Sequence, residues 1–271
     1  MEIYYQWYKW AYSHQVWLKV AKKYNINEEN IIWLFSFKDM FDKVVKNNGI
    51  WIVPIENSYA GSVYENFKNL VNYNVKIIWE YYLEISHCLL STSKDKKTIK
   101  KAYSHYQALM QCEKYLKKNN IEGIAFWDTA GSAKYVKEQN NNEIASISSE
   151  LAAKIYWLNI LEKWINDQKN NTTRFFIISR KDNNIENFSK DKKYSIVFKT
   201  KDIPAVLYKC LWAFATNNIN LTKIESIPTK EKQFEYMFWL DFEDIKDKNK
   251  IDNALNELWF FAKDIKILWN Y

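Results

Sequence analysis

Short apolar runs of strand length alternate with amphipathic runs of helix length through the first 180 residues, and that alternation restricts the chain to an α/β architecture. Strands are predicted at Ile3–Tyr5, Ile31–Leu34, Ile50–Ile55, Lys76–Leu90, Ala102–Tyr103, Gly123–Phe126, Ile144–Ile147 and Arg174–Ser179. Helices are predicted at Phe37–Lys46, Val63–Val71, Tyr106–Leu116, Thr129–Lys137 and Glu150–Leu161, with Ser36, Ser62, Asp128 and Ser149 as candidate caps. The stretch from Arg180 to Lys193 is polar and reads as a linker. Beyond it come strand Tyr194–Lys199, helix Ala205–Thr216 with Pro204 at its first turn, strands Ile219–Ser226 and Phe234–Asp241, helix Ile251–Phe261 and strand Ile265–Leu268. That order, βαββαβ, is a ferredoxin-like module.

Composition narrows the function classes. Hydrophobic residues make up 48% and charged residues 26% of 271, as in an ordinary globular chain with room for two domains. No run of about 18 apolar residues spans a membrane, and the start Met1-Glu2-Ile3-Tyr4-Tyr5 lacks the basic flank of a signal peptide. Cys88, Cys112 and Cys210 are odd in number and lie in apolar runs, which predicts reduced thiols and a cytoplasmic location. The net charge of +7 raises nucleic-acid binding. The lysines are spread, however, and the densest cluster, Lys94 to Lys101, is broken by Asp95 with no aromatic-basic stripe around it.

One anomaly stands out. The chain has 4 glycines and 13 tryptophans, where a chain of this length would carry roughly 19 glycines. Several tryptophans sit where a turn calls for glycine, among them Trp7, Trp10 and Trp269. The pattern predicts that most of these tryptophan codons are UGA, decoded as glycine in the source cell.

Four polar segments could carry chemistry. Pro54-Ile55-Glu56-Asn57-Ser58, followed by Gly61-Ser62-Val63, runs from a strand end into a helix, where α/β proteins place ligand crevices. Ser104-His105 with Gln107, and Asp128-Thr129-Ala130-Gly131, have the same strand-turn-helix form. Each is either an anion cradle of hydroxyls and helix-start amides or a plain helix cap. Asn171-Thr172-Thr173-Arg174-Phe175 opens a strand; Arg174 is either a carboxylate clamp or an exposed strand residue. The spacing supplies no metal-ligand set, no Ser-His-acid arrangement and no Gly-rich phosphate loop.

Taken in order, these segments resemble the prephenate dehydratases. The resemblance runs through Tyr5-Gln6, Ala11-Tyr12-Ser13-His14, Pro54 to Ser58, Gly61-Ser62-Val63, Tyr103-Ser104-His105, Gln107-Ala108-Leu109, Gln111-Cys112, Asp128-Thr129-Ala130, Glu150-Leu151-Ala152-Ala153, Tyr156 and Thr173-Arg174-Phe175. The C-terminal module resembles a phenylalanine-sensing ACT domain through Pro204, Leu207-Tyr208-Lys209, Asn220 to Ser226 and Pro228. Trp7, Trp10, Trp79, Trp157 and Trp269 fall where that family usually has glycine.

The resemblance implies a catalytic domain over 1–180 with two lobes folded like a periplasmic binding protein (about 1–76 plus 156–180, and 77–155), then an ACT domain over 193–271. It implies decarboxylating dehydration of prephenate to phenylpyruvate in L-phenylalanine biosynthesis, with no cofactor and no metal. Thr173 would be the hydroxyl donor near the leaving group. Glu56, Asn57, Ser58, Ser62, Ser104, His105, Gln107, Asp128, Thr129, Ala130, Arg174 and Phe175 would bind substrate. Pro204, Ala205, Val206, Leu207, Asn220, Leu221, Glu225 and Ser226 would form an L-phenylalanine effector site, and a homodimer or homotetramer is implied. Two departures bear on regulation: Ala205-Val206-Leu207 replaces Gly-Ala-Leu, and Ile227 replaces the arginine of Glu-Ser-Arg-Pro. The alternatives are an arogenate dehydratase and a non-catalytic amino-acid sensor of the same fold.

Overall fold

The apolar runs build three sheets in the computed structural model, which describes residues 3–6, 12–24, 31–34, 36–46, 49–183, 193–229, 235–245 and 247–270. Trp7, Trp10 and linker residues 184–192 lie outside the described residues. The chain separates into two units, Met1–Val63 with Tyr81–Phe176 and Tyr64–Glu80 with Ile177–Tyr271.

In chain order the elements begin with β1 (Ile3–Gln6), α1 (Tyr12–Tyr24), β2 (Ile31–Leu34), α2 (Phe37–Lys46) and β3 (Ile50–Asn57). β1 runs parallel to both β2 and β3. Helix α2 shows why such segments fold locally. Ser36 Oγ accepts the Asp39 amide at 3.0 Å and donates to Asp39 Oδ2 at 2.7 Å, while Phe37, Met40, Phe41 and Val44 form one buried stripe. After β3, Gly61 at φ +81 turns the chain back as β4 (Gly61–Ser62), antiparallel to the end of β3. Then come α3 (Tyr64–Asn72) and β5 (Val75–Glu84).

A second sheet follows: β6 (Cys88–Ser91), β7 (Lys101–His105), α4 (Tyr106–Met110), α5 (Glu113–Lys118), β8 (Glu122–Phe126), α6 (Thr129–Gln139), β9 (Ile144–Ser148), α7 (Glu150–Tyr156) and β10 (Asn159–Glu162). The chain then returns to the first sheet as β11 (Thr172–Arg180). Strand order is β2-β1-β3-β11-β5 in the first sheet and β10-β6-β9-β7-β8 in the second. The chain's two passages between these sheets give the two-lobed form; β5 runs from the second unit into the first, and β11 from the first into the second. Period-two alternation gives the second sheet two apolar faces. Leu89 packs with Ala108, Cys112 and Leu116 on one side; Cys88 and Leu90 pack with Ala133, Val136 and Ala152 on the other.

Helix α1 is not among the expected helices, and three expected elements between Lys76 and Leu161 are broken or shortened. The run Lys76–Leu90 is two strands in different sheets, broken at 85–87, so β5 stays with the first sheet. The helix expected over Tyr106–Leu116 breaks at Gln111-Cys112, because the Gln111 carbonyl accepts from Asp167 N at 2.7 Å and Tyr115 N donates to Asp167 Oδ1 at 3.1 Å. The helix expected over Glu150–Leu161 stops at Tyr156, where Trp157 turns left-handed at φ 50, ψ 47. Residues Asn159–Glu162 then pair with β6.

The second unit holds β12 (Lys193–Thr200), α8 (Val206–Thr216), β13 (Leu221–Pro228), β14 (Tyr236–Glu243), α9 (Lys248–Phe261) and β15 (Ala262–Asn270). Their order, β13-β14-β12-β15, is the antiparallel ferredoxin-like sheet that the βαββαβ pattern predicts. Ile196, Phe198, Phe214, Leu240, Phe242 and Leu258 lie at the centre of its core. Helix α3 belongs to this unit: Phe67 meets Trp239 edge-on at 4.8 Å, and Trp239 Nε1 and Ser195 Oγ both donate to the buried Asp241. Helix α8 starts at Val206, one residue later than expected, because Ala205 takes a left-handed conformation at φ 58.

Candidate active site

Within the first unit a cavity of about 390 Å³ opens between the two sheets, within the usual size range for a small-molecule site. The first sheet and its helices contribute Tyr12, Phe37, Pro54, Asn57, Thr173 and Phe175; the second contributes His105, Gln107, Gln111, Asp128 and Thr129. The lining has no lysine or arginine among the described residues. Hydroxyl and amide groups, together with the Asp128 carboxyl and the His105 ring, therefore set its chemistry.

Asn57 is fixed by backbone. Its Oδ1 accepts from Tyr59 N at 3.0 Å and Ala60 N at 2.8 Å, so its Nδ2 faces Asn171 Oδ1 at 2.7 Å and Thr173 Oγ1 at 3.0 Å. Thr173 thus accepts from Asn57, and its own hydroxyl hydrogen is left for an acceptor in the cavity. Ser58 stitches the two segments together: its N donates to Thr172 O at 2.8 Å, and its Oγ accepts Thr172 N at 2.9 Å.

Across the cavity, Asp128 is 2% exposed and caps α6, accepting from Ala130 N at 2.9 Å and Gly131 N at 2.7 Å. Burial raises its pKa above the ordinary carboxylate value, opposed by those amides, by His105 and by the Thr129 hydroxyl. The Ala130 and Gly131 amides at this turn are thus occupied by the Asp128 cap. Gly131 is required by closeness: a Cβ would stand 2.7 Å from Trp127 Nε1 and 2.9 Å from Asp128 Oδ2. His105 caps α4 through Nδ1, which accepts Gln107 N at 3.3 Å. Burial lowers its pKa, with Asp128 acting against that.

The cavity gathers Asn57, His105, Gln107, Asp128, Thr129, Thr173 and Phe175 from the sequence-derived set. Glu56, Ser58, Ser62, Ser104, Ala130 and Arg174 are not in its lining. Glu56 and Ser62 are opposed in the β3–β4 pair. Ser104 is fully buried and donates to Ile147 O at 2.6 Å. For Arg174, expected as a carboxylate clamp or an exposed strand residue, the position is buried and outside the lining. Strand alternation turns it away from the face of Thr173 and Phe175, and its buried guanidinium lies 4.7 Å from the Phe176 ring.

Sequence reasoning gave no role to His87 or Asn171. Asn171 Nδ2 donates to Gln111 Oε1 at 2.9 Å, and His87 Nε2 lies 2.7 Å from the same oxygen. The only sequence signals were polarity beside Thr173 and a histidine abutting Cys88-Leu89-Leu90.

Of the suggested effector residues in the second unit, Glu225 accepts from Tyr64 Oη at 3.1 Å and Lys223 Nζ at 3.2 Å. Asn220 Nδ2 is 3.4 Å from Glu243 Oε2, Leu207 and Leu221 pack on the core, Val206 is half-buried, and Pro204, Ala205 and Ser226 are exposed.

A family model described as prephenate dehydratase matches residues 3–183. The chain is 40% identical over 230 residues to arogenate dehydratase/prephenate dehydratase 2, chloroplastic, of Arabidopsis thaliana, covering 81% of this chain and 60% of that protein. It therefore spans less than two thirds of that relative. It is also 40% identical over 258 residues to the prephenate dehydratase of Methanocaldococcus jannaschii, covering 93% of each. Its fold matches prephenate dehydratase in complex with L-Phe from Arthrobacter aurescens, with a TM-score of 0.86 at 23% identity, over 100% of this chain and 89% of the other.

Proposed function

Because the chain belongs to the prephenate dehydratase family, we propose that it converts prephenate to phenylpyruvate, with loss of carbon dioxide and the ring hydroxyl. The observation that carries this reading is the Asn57–Thr173 hydrogen bond at 3.0 Å inside a cavity whose described lining holds no lysine or arginine. In the reaction the ring-carboxylate bond breaks and its electron pair enters the ring. The ring carbon–oxygen bond breaks, and hydroxide departs as water after taking a proton that comes ultimately from solvent. Aromatisation drives both cleavages, so the protein must orient the dianion and stabilise the leaving oxygen. Thr173 donates a hydrogen bond to that oxygen; Asn57, by donating to Thr173, turns the hydroxyl hydrogen outward. A departing carboxylate is best left without a strong cation, and a described lining without lysine or arginine meets that need. Gln107, Thr129 and His105 supply the remaining polar contacts.

On the same reading the second unit is a regulatory module that binds L-phenylalanine, the protein works in the cytoplasm, and copies pair through the regulatory modules. The test measures phenylpyruvate formation from prephenate and phenylalanine formation from arogenate, each with and without L-phenylalanine. Thr173→Ala should lower kcat by about a hundredfold or more without changing the fold by circular dichroism. An unchanged kcat removes Thr173 from its role. Faster turnover of arogenate than of prephenate moves the assignment to the aminated substrate.

A further inference from the structure

The polar chain behind Thr173 has a direction that the backbone fixes, and it ends at a residue with no assigned part in the reaction. The Tyr59 and Ala60 amides can only donate, so Asn57 Oδ1 must accept and Asn57 Nδ2 must donate to Asn171 Oδ1. The Asn171 amide then has one orientation, with Nδ2 donating to Gln111 Oε1 at 2.9 Å. That oxygen, already an acceptor, lies 2.7 Å from His87 Nε2, and two lone pairs facing each other at that distance repel. The Nε2 position must therefore carry the hydrogen.

We propose that His87 is a positioning residue for the dehydration: held as the neutral Nε2–H tautomer, it locks Gln111, Asn171 and Asn57 in the arrangement that points the Thr173 hydroxyl hydrogen into the cavity. The inference rests on the dehydratase reading above. The ring is placed for this part. It is 2% exposed. Its backbone N donates to Asn166 Oδ1 at 2.8 Å, and its backbone O accepts Ile165 N at 3.0 Å. The other ring nitrogen, Nδ1, keeps its lone pair, and the Tyr12 hydroxyl stands 2.9 Å from it. That hydroxyl also donates to Ser86 O at 2.9 Å, so its hydrogen can turn to either acceptor, whereas Gln111 Oε1 has no hydrogen to offer Nε2. Burial pushes the His87 pKa down to about 4, against the Gln111 hydrogen bond. At neutral pH the ring thus has one hydrogen to place, and the amide chain decides where.

The test joins a spectroscopic readout with a pair of variants. In protein labelled with 15N in its histidine rings, the His87 signals at pH 7 should show a protonated Nε2 and a bare Nδ1. An Nδ1–H tautomer or a doubly protonated ring overturns the proposal, and this measurement needs no variant. In His87→Gln the side-chain amide can donate where Nε2–H stood, and kcat should be largely kept. In His87→Met, of similar size but without a donor, kcat should fall by about a hundredfold, the scale of a small misplacement of a reacting group, with little change in KM. A space-filling role alone would lower the thermal stability of both variants and leave their kcat per folded molecule alike; that outcome also overturns the proposal. Wild-type protein that turns over neither prephenate nor arogenate defeats the dehydratase reading itself, and the ring signals still report the tautomer.

Discussion

Trp157 and Trp164 hold left-handed backbone at φ 50 and φ 58, where a side chain other than glycine costs about 1–2 kcal/mol. Both are exposed, Trp157 at 81% and Trp164 at 59%, so burial returns little of that cost. These conformations are what glycine adopts freely, and they add a structural argument to the compositional one for UGA decoded as glycine. Trp157→Gly should raise stability by about 1 kcal/mol, read as a higher denaturation midpoint at unchanged m-value. The intact mass of the chain from its native host decides the codon question: thirteen tryptophan masses would end it. Ala205, at φ 58, carries the same strain at the start of α8.

At the scale of elements, the break between α4 and α5 is what delivers Gln111 to the site. A single helix would have committed the Gln111 carbonyl to Tyr115 N; instead the Asp167 segment takes both partners. The Asp167 carboxylate caps α5 from a distant loop, accepting from Lys114 N at 2.9 Å and Tyr115 N at 3.1 Å. Asp167→Ala should therefore cost about 1 kcal/mol, as a lost helix cap does. It should also raise amide hydrogen exchange in α5 ahead of α2, whose cap is local. Equal exchange in the two helices would count against this account.

For the whole molecule, a buried neutral His87 makes stability depend on pH. Its folded-state pKa of about 4 lies below the ordinary 6.5, so between these values the unfolded chain binds a proton that the folded chain does not. That contribution is fully present above pH 6.5 and is lost as pH falls toward 4, to about 3 kcal/mol. His87→Gln should flatten that part of the stability profile, measured by denaturant unfolding from pH 7 to pH 4. The second unit makes a separate demand. It includes Tyr64–Glu80, where Phe67 packs on Trp239 and Lys193 pairs with Glu80 at 2.5 Å. A fragment ending at residue 183 would expose the Phe67 face of α3 and should aggregate or melt well below the full chain in calorimetry.

Local periodicity and capping residues determined the α/β class, the βαββαβ order, the bounds of α2 and the Asp128 and Ser149 caps, because those depend on neighbours three or four residues apart. Polar segments at strand ends likewise marked Asn57, Gln107, Thr129 and Thr173 as candidates. What the linear order could not supply was facing. Arg174 turns away because strand pleat, not polarity, decides its side, and Ser104 is consumed by Ile147 O across the sheet. The breaks at 85–87 and at Gln111 arise from hydrogen-bond partners far along the chain, whereas the one at Trp157 lies in its own left-handed backbone. His87 and Asn171 gain their meaning only when folding brings residues 87, 111, 171 and 57 within hydrogen-bond distance, since the direction of a buried hydrogen bond is set by what stands opposite it.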